Sequence, residues 1–199
     1  EYHRIDQVLE QRAGQGPKSW IDTPHYQHDH TAPRVNSWAP HSAYLKISEG
    51  CDHTCSFCII PKLRGRLRSR TIESLVLEAT RLVGEGVAEL NLISQDSTAY
   101  GRDLHGKPQL AELIRALARI EDLRWLRIHY AYPIGLPDAL LQAIAEEETV
   151  CRYLDMPLQH ASGPMLKAMR RGVTRAGQER ILERVRGAVP GIALRTTFI

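Results

Sequence analysis

Cysteine is scarce in this chain, and long apolar runs are missing. Of four cysteines in 199 residues, three crowd into one stretch of eight and the fourth stands alone. No sensible set of pairs exists, so neither a disulfide framework nor a disulfide-linked partner is expected. No run of about 18 apolar residues occurs, which excludes a membrane-spanning helix. A strong charge of one sign is also lacking: +3 is too little to argue for a nucleic-acid partner by itself. The opening residues, Glu1-Tyr2-His3-Arg4-Ile5-Asp6, form neither a signal peptide nor an initiator methionine. The chain therefore reads as a piece of a longer protein. There is no tandem repeat and no low-complexity tract.

What is present is ordinary for a soluble globular protein, with 43% hydrophobic and 25% charged residues. At this length the chain can bury a core for one domain and part of another. Thiols not committed to disulfides suit the reducing cytoplasm. The run Lys62, Arg64, Arg66, Arg68 and Arg70 reads as a solvated face in preference to an RNA-facing patch.

Along the chain, Ile5, Val8 and Leu9 sit at helical spacing, predicting a short amphipathic helix within residues 1–12. Residues 13–41 lose periodicity and carry Pro17, Pro24, Pro33 and Pro40, the marks of a linker. His25, His28 and His30 lie in that tract, where no fixed geometry favours a metal. From residue 42 onward strands and helices alternate. Strands are predicted at 43–48, 87–94, 123–130, 150–156 and 192–199, each alternating apolar with polar residues. Helices follow from the stripes Ile72/Leu75/Val76/Ala79/Leu82/Val83, Leu110/Leu113/Ile114/Leu117, Leu140/Leu141/Ile144 and Ile181/Leu182/Val185. Gly84 and Gly86 end the first, and Pro137 fits the first position of the third. Ser162 and Pro164 read as N-cap and first residue of a further helix closing near Gly172.

This order implies an α/β fold with a parallel sheet and right-handed crossovers. Five strands cannot close an eight-stranded barrel, so the expectation is a partial, open β/α barrel of the TIM type, truncated before a sixth strand. Ending on a strand is expected to leave an edge prone to association. One sheet face is apolar. The other carries Ser48, Asn91, Arg127, His129, Asp155, Arg195 and Thr197, implying either a wet or ligand-filled interior or a salt-bridged network such as Arg127 with Asp155.

The chain is organised around Cys51-Asp52-His53-Thr54-Cys55-Ser56-Phe57-Cys58, spaced C-x3-C-x2-C. Such spacing folds a loop whose three thiolates converge on one point. Three is one short of a closed tetrahedral zinc site and one short of the usual four for an iron–sulfur cluster. Two readings follow: a 4Fe–4S cluster with one iron open, or a zinc knuckle that borrows His53 or Cys151. Cys151 begins its strand, about 20 Å from the end where ligands gather, and is expected to be a buried core thiol.

The residues around the loop, Ser48-Glu49-Gly50 before it and Ile59-Ile60-Pro61, Arg64-Gly65 and Ser69-Arg70 after it, resemble the radical S-adenosylmethionine (SAM) superfamily. More narrowly they are similar to its methylthiotransferases, and the resemblance spans residues 44–199. It implies that Cys51, Cys55 and Cys58 each bind one iron, that SAM chelates the fourth through its amino and carboxylate groups, and that an electron cleaves SAM to a 5′-deoxyadenosyl radical. It places Ser94, Gln95 and Asp96 at the SAM-contacting motif after the second strand and Phe57 beside the adenine. Arg195 is the best cation for the SAM carboxylate, because its fork matches that group. Gln159 and His160 are candidates to face the substrate, or merely to cap a turn.

Ile93–Gly101, Leu154–Ser162 and Arg195–Ile199 resemble the branch that modifies a ribosomal protein. The tRNA-modifying branch typically carries Gly-Gln-Asn after the second strand and remains the alternative. The implied reaction inserts a methylthio group at the β-carbon of an aspartate in ribosomal protein S-twelve of the small subunit. Flavodoxin or ferredoxin is the implied electron donor. In that family an N-terminal domain holds a second 4Fe–4S cluster. No cysteine precedes Cys51 here, so the opening helix is expected to be the tail of that domain, and the second cluster is expected only in the full-length protein. A family member so shortened is expected to bind a cluster yet not complete sulfur insertion. From another class, the competing expectation is a metal-stabilised binding module without catalysis.

Overall fold

The structure is a computed structural model that describes residues 5–10, 23–37 and 39–199. In chain order the elements begin with α1 (Ile5–Glu10), β1 (Ser42–Lys46), β2 (Ser48–Glu49), α2 (Ile60–Arg64) and β3 (Arg68–Ser69). They continue with α3 (Ile72–Gly84), β4 (Glu89–Ile93), a 3-10 turn (Ser97–Ala99), α4 (Arg102–His105), α5 (Leu110–Ala118) and β5 (Trp125–Ile128). Last come α6 (Asp138–Glu146), β6 (Val150–Asp155), α7 (Gly163–Ala168), α8 (Arg175–Ala188) and β7 (Ala193–Arg195). Of the expected linker, residues 13–22 and 38 lie outside the described residues.

Five strands form one sheet in the order β1-β4-β5-β6-β7, every neighbouring pair parallel. Sequential order with a helix between every pair of neighbours is what the strand–helix alternation predicts, and the partial-barrel architecture stands. Leu45, Leu90, Leu92, Leu126, Ile128 and Leu154 are buried on the helical side. Against them pack Leu75, Ala79 and Leu82 of α3, Leu113, Ile114 and Leu117 of α5, Leu140 and Ile144 of α6, and Val185 of α8. Each such leucine contributes about 1.5–3 kcal/mol by leaving water.

Helix ends follow local chemistry. The Thr71 side chain accepts from Ser74 N at 3.2 Å and caps α3. Beyond its end, Gly86 at φ +100° turns the chain: Val87 N bonds Leu82 O and Gly86 N bonds Val83 O, the paired bonds of a Schellman motif. Pro137 stands one place earlier than expected, as the N-cap of α6 with extended backbone. Gly163, not Pro164, opens α7 after Ser162. Pro137 stays extended just ahead of the first helical residue, and Pro164 falls in the first turn of α7, where its missing N–H costs no intrahelical bond.

Other expectations need correction. The first strand does not run through Ser48: the sheet ends at Lys46, and Ser48–Glu49 pairs antiparallel with Arg68–Ser69 to close the neck of the cysteine loop. The last strand is only three residues long, with an isolated bridge from Gln159 to Phe198 beyond it. Arg127 does not pair with Asp155. The register sets Asp155 directly across from Arg195, which meets it at 3.0 Å, and leaves Arg127 to Glu89 at 2.7 Å. Asn91 accepts from His129 Nε2 at 3.1 Å and donates to Ser42 Oγ at 3.1 Å, so much of the polar face is internally paired. Burial lowers the His129 pKa from its ordinary value. Cys151 is half-buried, not a core thiol, and lines an open hollow with Trp125, Arg127 and Tyr153 at the amino end of the sheet. Among the described residues no helix is long and apolar enough to cross a membrane.

Candidate metal centre

The loops that follow the parallel strands meet at the sheet's carboxyl end, where α/β folds place their ligands. The cysteine loop enters through Gly50, at φ +78°. A Cβ there would sit 2.0 Å from Arg66 O, so only glycine fits. Cys51 N donates to Gly65 O at 3.1 Å, while Asp52 Oδ1 accepts from Arg66 Nε and Leu67 N, both at 3.2 Å. The far side is sewn to the end of α7: Ser56 N donates to Met169 O at 3.1 Å and Ser56 Oγ to Ala168 O at 2.8 Å. Gly50→Ala is therefore expected to destabilise the chain by at least about 1–3 kcal/mol and to weaken iron uptake, measured by thermal melting and iron analysis.

Cys51, Cys55 and Cys58 line one cavity of about 320 Å³, with Phe57, Gln95, Tyr132, Gln159 and Arg171 in its walls. A neighbouring hollow of about 460 Å³ adds Lys46, Ile60 and Ser94 and shares Cys51, Cys58 and Gln95. All four cysteines of the chain are free. The three cysteines share this cavity, while among the described residues no three His, Cys, Asp or Glu side chains are grouped so that they could hold a single metal ion. One closed tetrahedral ion needs four ligands at one centre, whereas sulfurs on separate irons of a cubane stand apart around it. The donor set and the cavity thus fit a cluster better than a zinc ion. Neither proposed fourth ligand for zinc is at hand, since His53 is engaged elsewhere and Cys151 lies at the opposite end of β6. Burial pushes the Cys51 thiol up to about 11, helped by the charges of Asp96, Cys55 and Cys58, so a bound metal must displace its proton.

The motif after β4 divides its labour. Ser94 and Gln95 face the hollows, and Gln95 Oε1 is buried without a hydrogen-bond partner among the described residues. Asp96 does not face them. Its Oδ1 accepts from Thr98 N at 3.0 Å and from the Thr98 hydroxyl at 2.5 Å, and its Oδ2 meets His53 Nε2 at 2.7 Å. Phe57 is exposed at the cavity wall. Gln159 lines the cavity at φ +73°, whereas His160 Nδ1 accepts from Ser162 N at 2.8 Å and closes a turn. Arg195 is held by Asp155 with much of its side chain exposed, and Asp155 Oδ1 has no hydrogen-bond partner among the described residues.

Two further cavity residues receive no role from the sequence. Tyr132 stacks on His53, ring centres 3.6 Å apart and planes 13° apart. The Arg171 guanidinium lies 4.3 Å from the same ring centre. A parallel ring already covers one face, so the guanidinium occupies the other. Burial raises the Tyr132 pKa, and its hydroxyl donates to Arg171 O at 2.8 Å. In the sequence Tyr132-Pro133 is a motif of the resembling family after the third strand, with no contact assigned to it, and Arg171 sits in the unpatterned turn between two helices. Nothing local distinguishes Arg171.

The profile of the radical SAM superfamily matches residues 45–199. The chain is 52% identical over 179 residues to the ribosomal protein uS12 methylthiotransferase RimO of Anaeromyxobacter sp. (strain K), covering 90% of this chain and 38% of that protein. It is 48% identical over 198 residues to RimO of Myxococcus xanthus (strain DK1622), covering 100% of this chain and 41% of the relative. The chain thus spans about two-fifths of the length of these relatives. Among solved structures it resembles the radical SAM methyltransferase TsrM from Kitasatospora setae, with TM-score 0.60 at 19% identity over 78% of this chain and 30% of that one. It also resembles the cobalamin-dependent radical SAM enzyme OxsB, with TM-score 0.61 at 18% identity over 80% of this chain and 24% of that one. These two likenesses concern the fold. With its profile match, its parallel sheet and three free cysteines on the loop after the first strand, the chain belongs to the radical SAM superfamily.

Proposed function

We propose that this chain is the radical domain of a methylthiotransferase that acts on an aspartate of ribosomal protein S-twelve. The observation that carries the reading is the trio of free cysteines lining one cavity at the carboxyl end of the sheet. Cys51, Cys55 and Cys58 would hold a 4Fe–4S cluster. Bound there with SAM, the cluster would supply the electron that cleaves the sulfonium to a 5′-deoxyadenosyl radical.

The chain's own residues bind and orient. Ser94 and the unpartnered Gln95 Oε1 are suited to accept from the SAM ammonium, and Phe57 to lie along the adenine. Arg195 is suited to the carboxylate by its planar fork, on giving up part of its contact with Asp155. Asp96 acts one step back, fixing His53 and the cysteine loop. Gln159, in the cavity wall, is placed to meet a substrate, and His160 to hold the turn that carries it. Walls of Tyr132, Pro157 and Phe57 help exclude water from a reactive radical.

The substrate assignment rests on the similarity to RimO proteins, and so do a second cluster in the full-length protein and a flavodoxin or ferredoxin as electron donor. A reducing compartment, the cytoplasm, follows from thiols that must stay reduced. Anaerobic reconstitution should give about four irons and four sulfides per chain, and the reduced protein should convert SAM to 5′-deoxyadenosine. One bound zinc with no cleavage of SAM overturns the reading. Mass spectrometry of ribosomal protein against tRNA, each treated with the full-length enzyme, tests the substrate.

A further inference from the structure

We propose that Arg171 is a positioning residue for Cys55: its buried positive charge holds that sulfur and raises the potential at which a bound cluster accepts an electron. The proposal rests on the cluster reading above and extends it to a residue outside the cysteine motif.

Arg171 is only 5% exposed. Its Nη2 donates to Pro157 O at 2.7 Å, its plane lies against Tyr132, and its Nη1 lies 3.6 Å from Cys55 Sγ. Among the described residues its Nε is buried without a partner and no carboxylate pairs with it. A buried guanidinium without an anion is costly, and one seated in a cavity wall calls for negative charge in that cavity. A cluster bearing three thiolates supplies it. The geometry is built, not incidental. Asp96 fixes His53, His53 stacks on Tyr132, and Tyr132 both supports the guanidinium and anchors Arg171 O, so three strand-end loops aim this one side chain at one sulfur.

The sign of the effect follows from charge. Reduction adds one electron to the cluster, from the 2+ to the 1+ level, with no bond made or broken, and makes the site more negative. A nearby cation stabilises the reduced level more than the oxidised one. Removing the cation must therefore move the midpoint potential in the negative direction.

The test is a potentiometric titration of the anaerobically reconstituted chain, with dithionite as reductant, low-potential mediators and no SAM, followed by electron paramagnetic resonance. Arg171→Gln and Arg171→Met should take up the native complement of iron, reduce at a more negative potential, and lose iron to a chelator several-fold faster. Arg171→Lys should recover most of the native potential. Met is included because it fills the buried space without leaving a polar atom unpaired.

A native potential in the neutral variants overturns the proposal, as does a lysine variant shifted as far as glutamine. A native potential with weakened SAM binding also overturns it, and makes Arg171 a clamp for the SAM carboxylate. Loss of cooperative melting in both neutral variants assigns the residue to the fold instead. Failure of the unmutated chain to load iron sinks the cluster reading itself, whereas normal loading with insensitive variants sinks only this proposal.

Discussion

Cys55→Ala should reduce 5′-deoxyadenosine formation from SAM to background, a loss of at least roughly 10³-fold, equivalent to more than about 4 kcal/mol of barrier. With two thiols left on the loop, one iron of the proposed cluster would lose its protein ligand, and iron content should fall with activity. Cys55 Sγ also lies 3.6 Å from Arg171 Nη1 and 3.8 Å from the Tyr132 hydroxyl, so its removal takes from the Arg171 charge the thiolate beside it when a cluster is bound. The control is Cys151→Ala. That thiol lies at the amino end of β6 in a separate hollow, and its loss should change neither iron content nor SAM cleavage. Iron analysis and product chromatography on both variants check the prediction. Retention of cluster and activity by Cys55→Ala, with loss in Cys151→Ala, would mean the cavity has been misassigned.

The second large effect concerns stability. Glu78 on α3 is buried between two arginines: Arg70 approaches Oε2 at 2.6 Å and Arg34 donates to Oε1 at 2.7 Å. Arg34 also donates to Tyr44 O at 2.6 Å, so this carboxylate ties the segment before the sheet to β1 and α3. Glu78→Gln strands the Arg70 charge in the interior. Breaking such a pair costs about 3–5 kcal/mol, which for a chain of this size lowers the melting temperature by roughly 6–20 °C.

The pH dependence has a definite sign. Burial pushes the Glu78 carboxyl up, but the Arg70 charge and the hydrogen bonds from Arg34 and Arg70 outweigh it, leaving the pKa below its ordinary 4.5. A depressed carboxylate contributes stability that is present above that ordinary value and lost as pH falls below it. Melting temperatures measured downward from neutral pH should therefore fall more steeply through the acid range in the native chain than in Glu78→Gln. Parallel curves would show that Glu78 is not the group responsible.

The order of elements was legible because period-2 and period-3.6 apolar patterns depend on local geometry alone, and the loop Cys51–Cys58 was legible because three ligands within eight residues need no tertiary information. The same locality explains what could not be read. The partners of Arg127 and Arg195 depend on strand register, which sets residues far apart in the chain across from each other. Asp96 looks like a ligand acceptor until Thr98 and His53 are seen to occupy its oxygens. Tyr132 and Arg171 acquire meaning only when two separate loops fold against the cysteines.

The amino-acid sequence by itself determined the alternating α/β chain, the glycine at residue 50 and the three-thiol loop, since each is written in neighbours a few residues apart. The tertiary structure alone decided which side chains surround those thiols and which buried charge faces them. Those contacts join residues 43 to 116 positions apart, and only long-range packing chooses them.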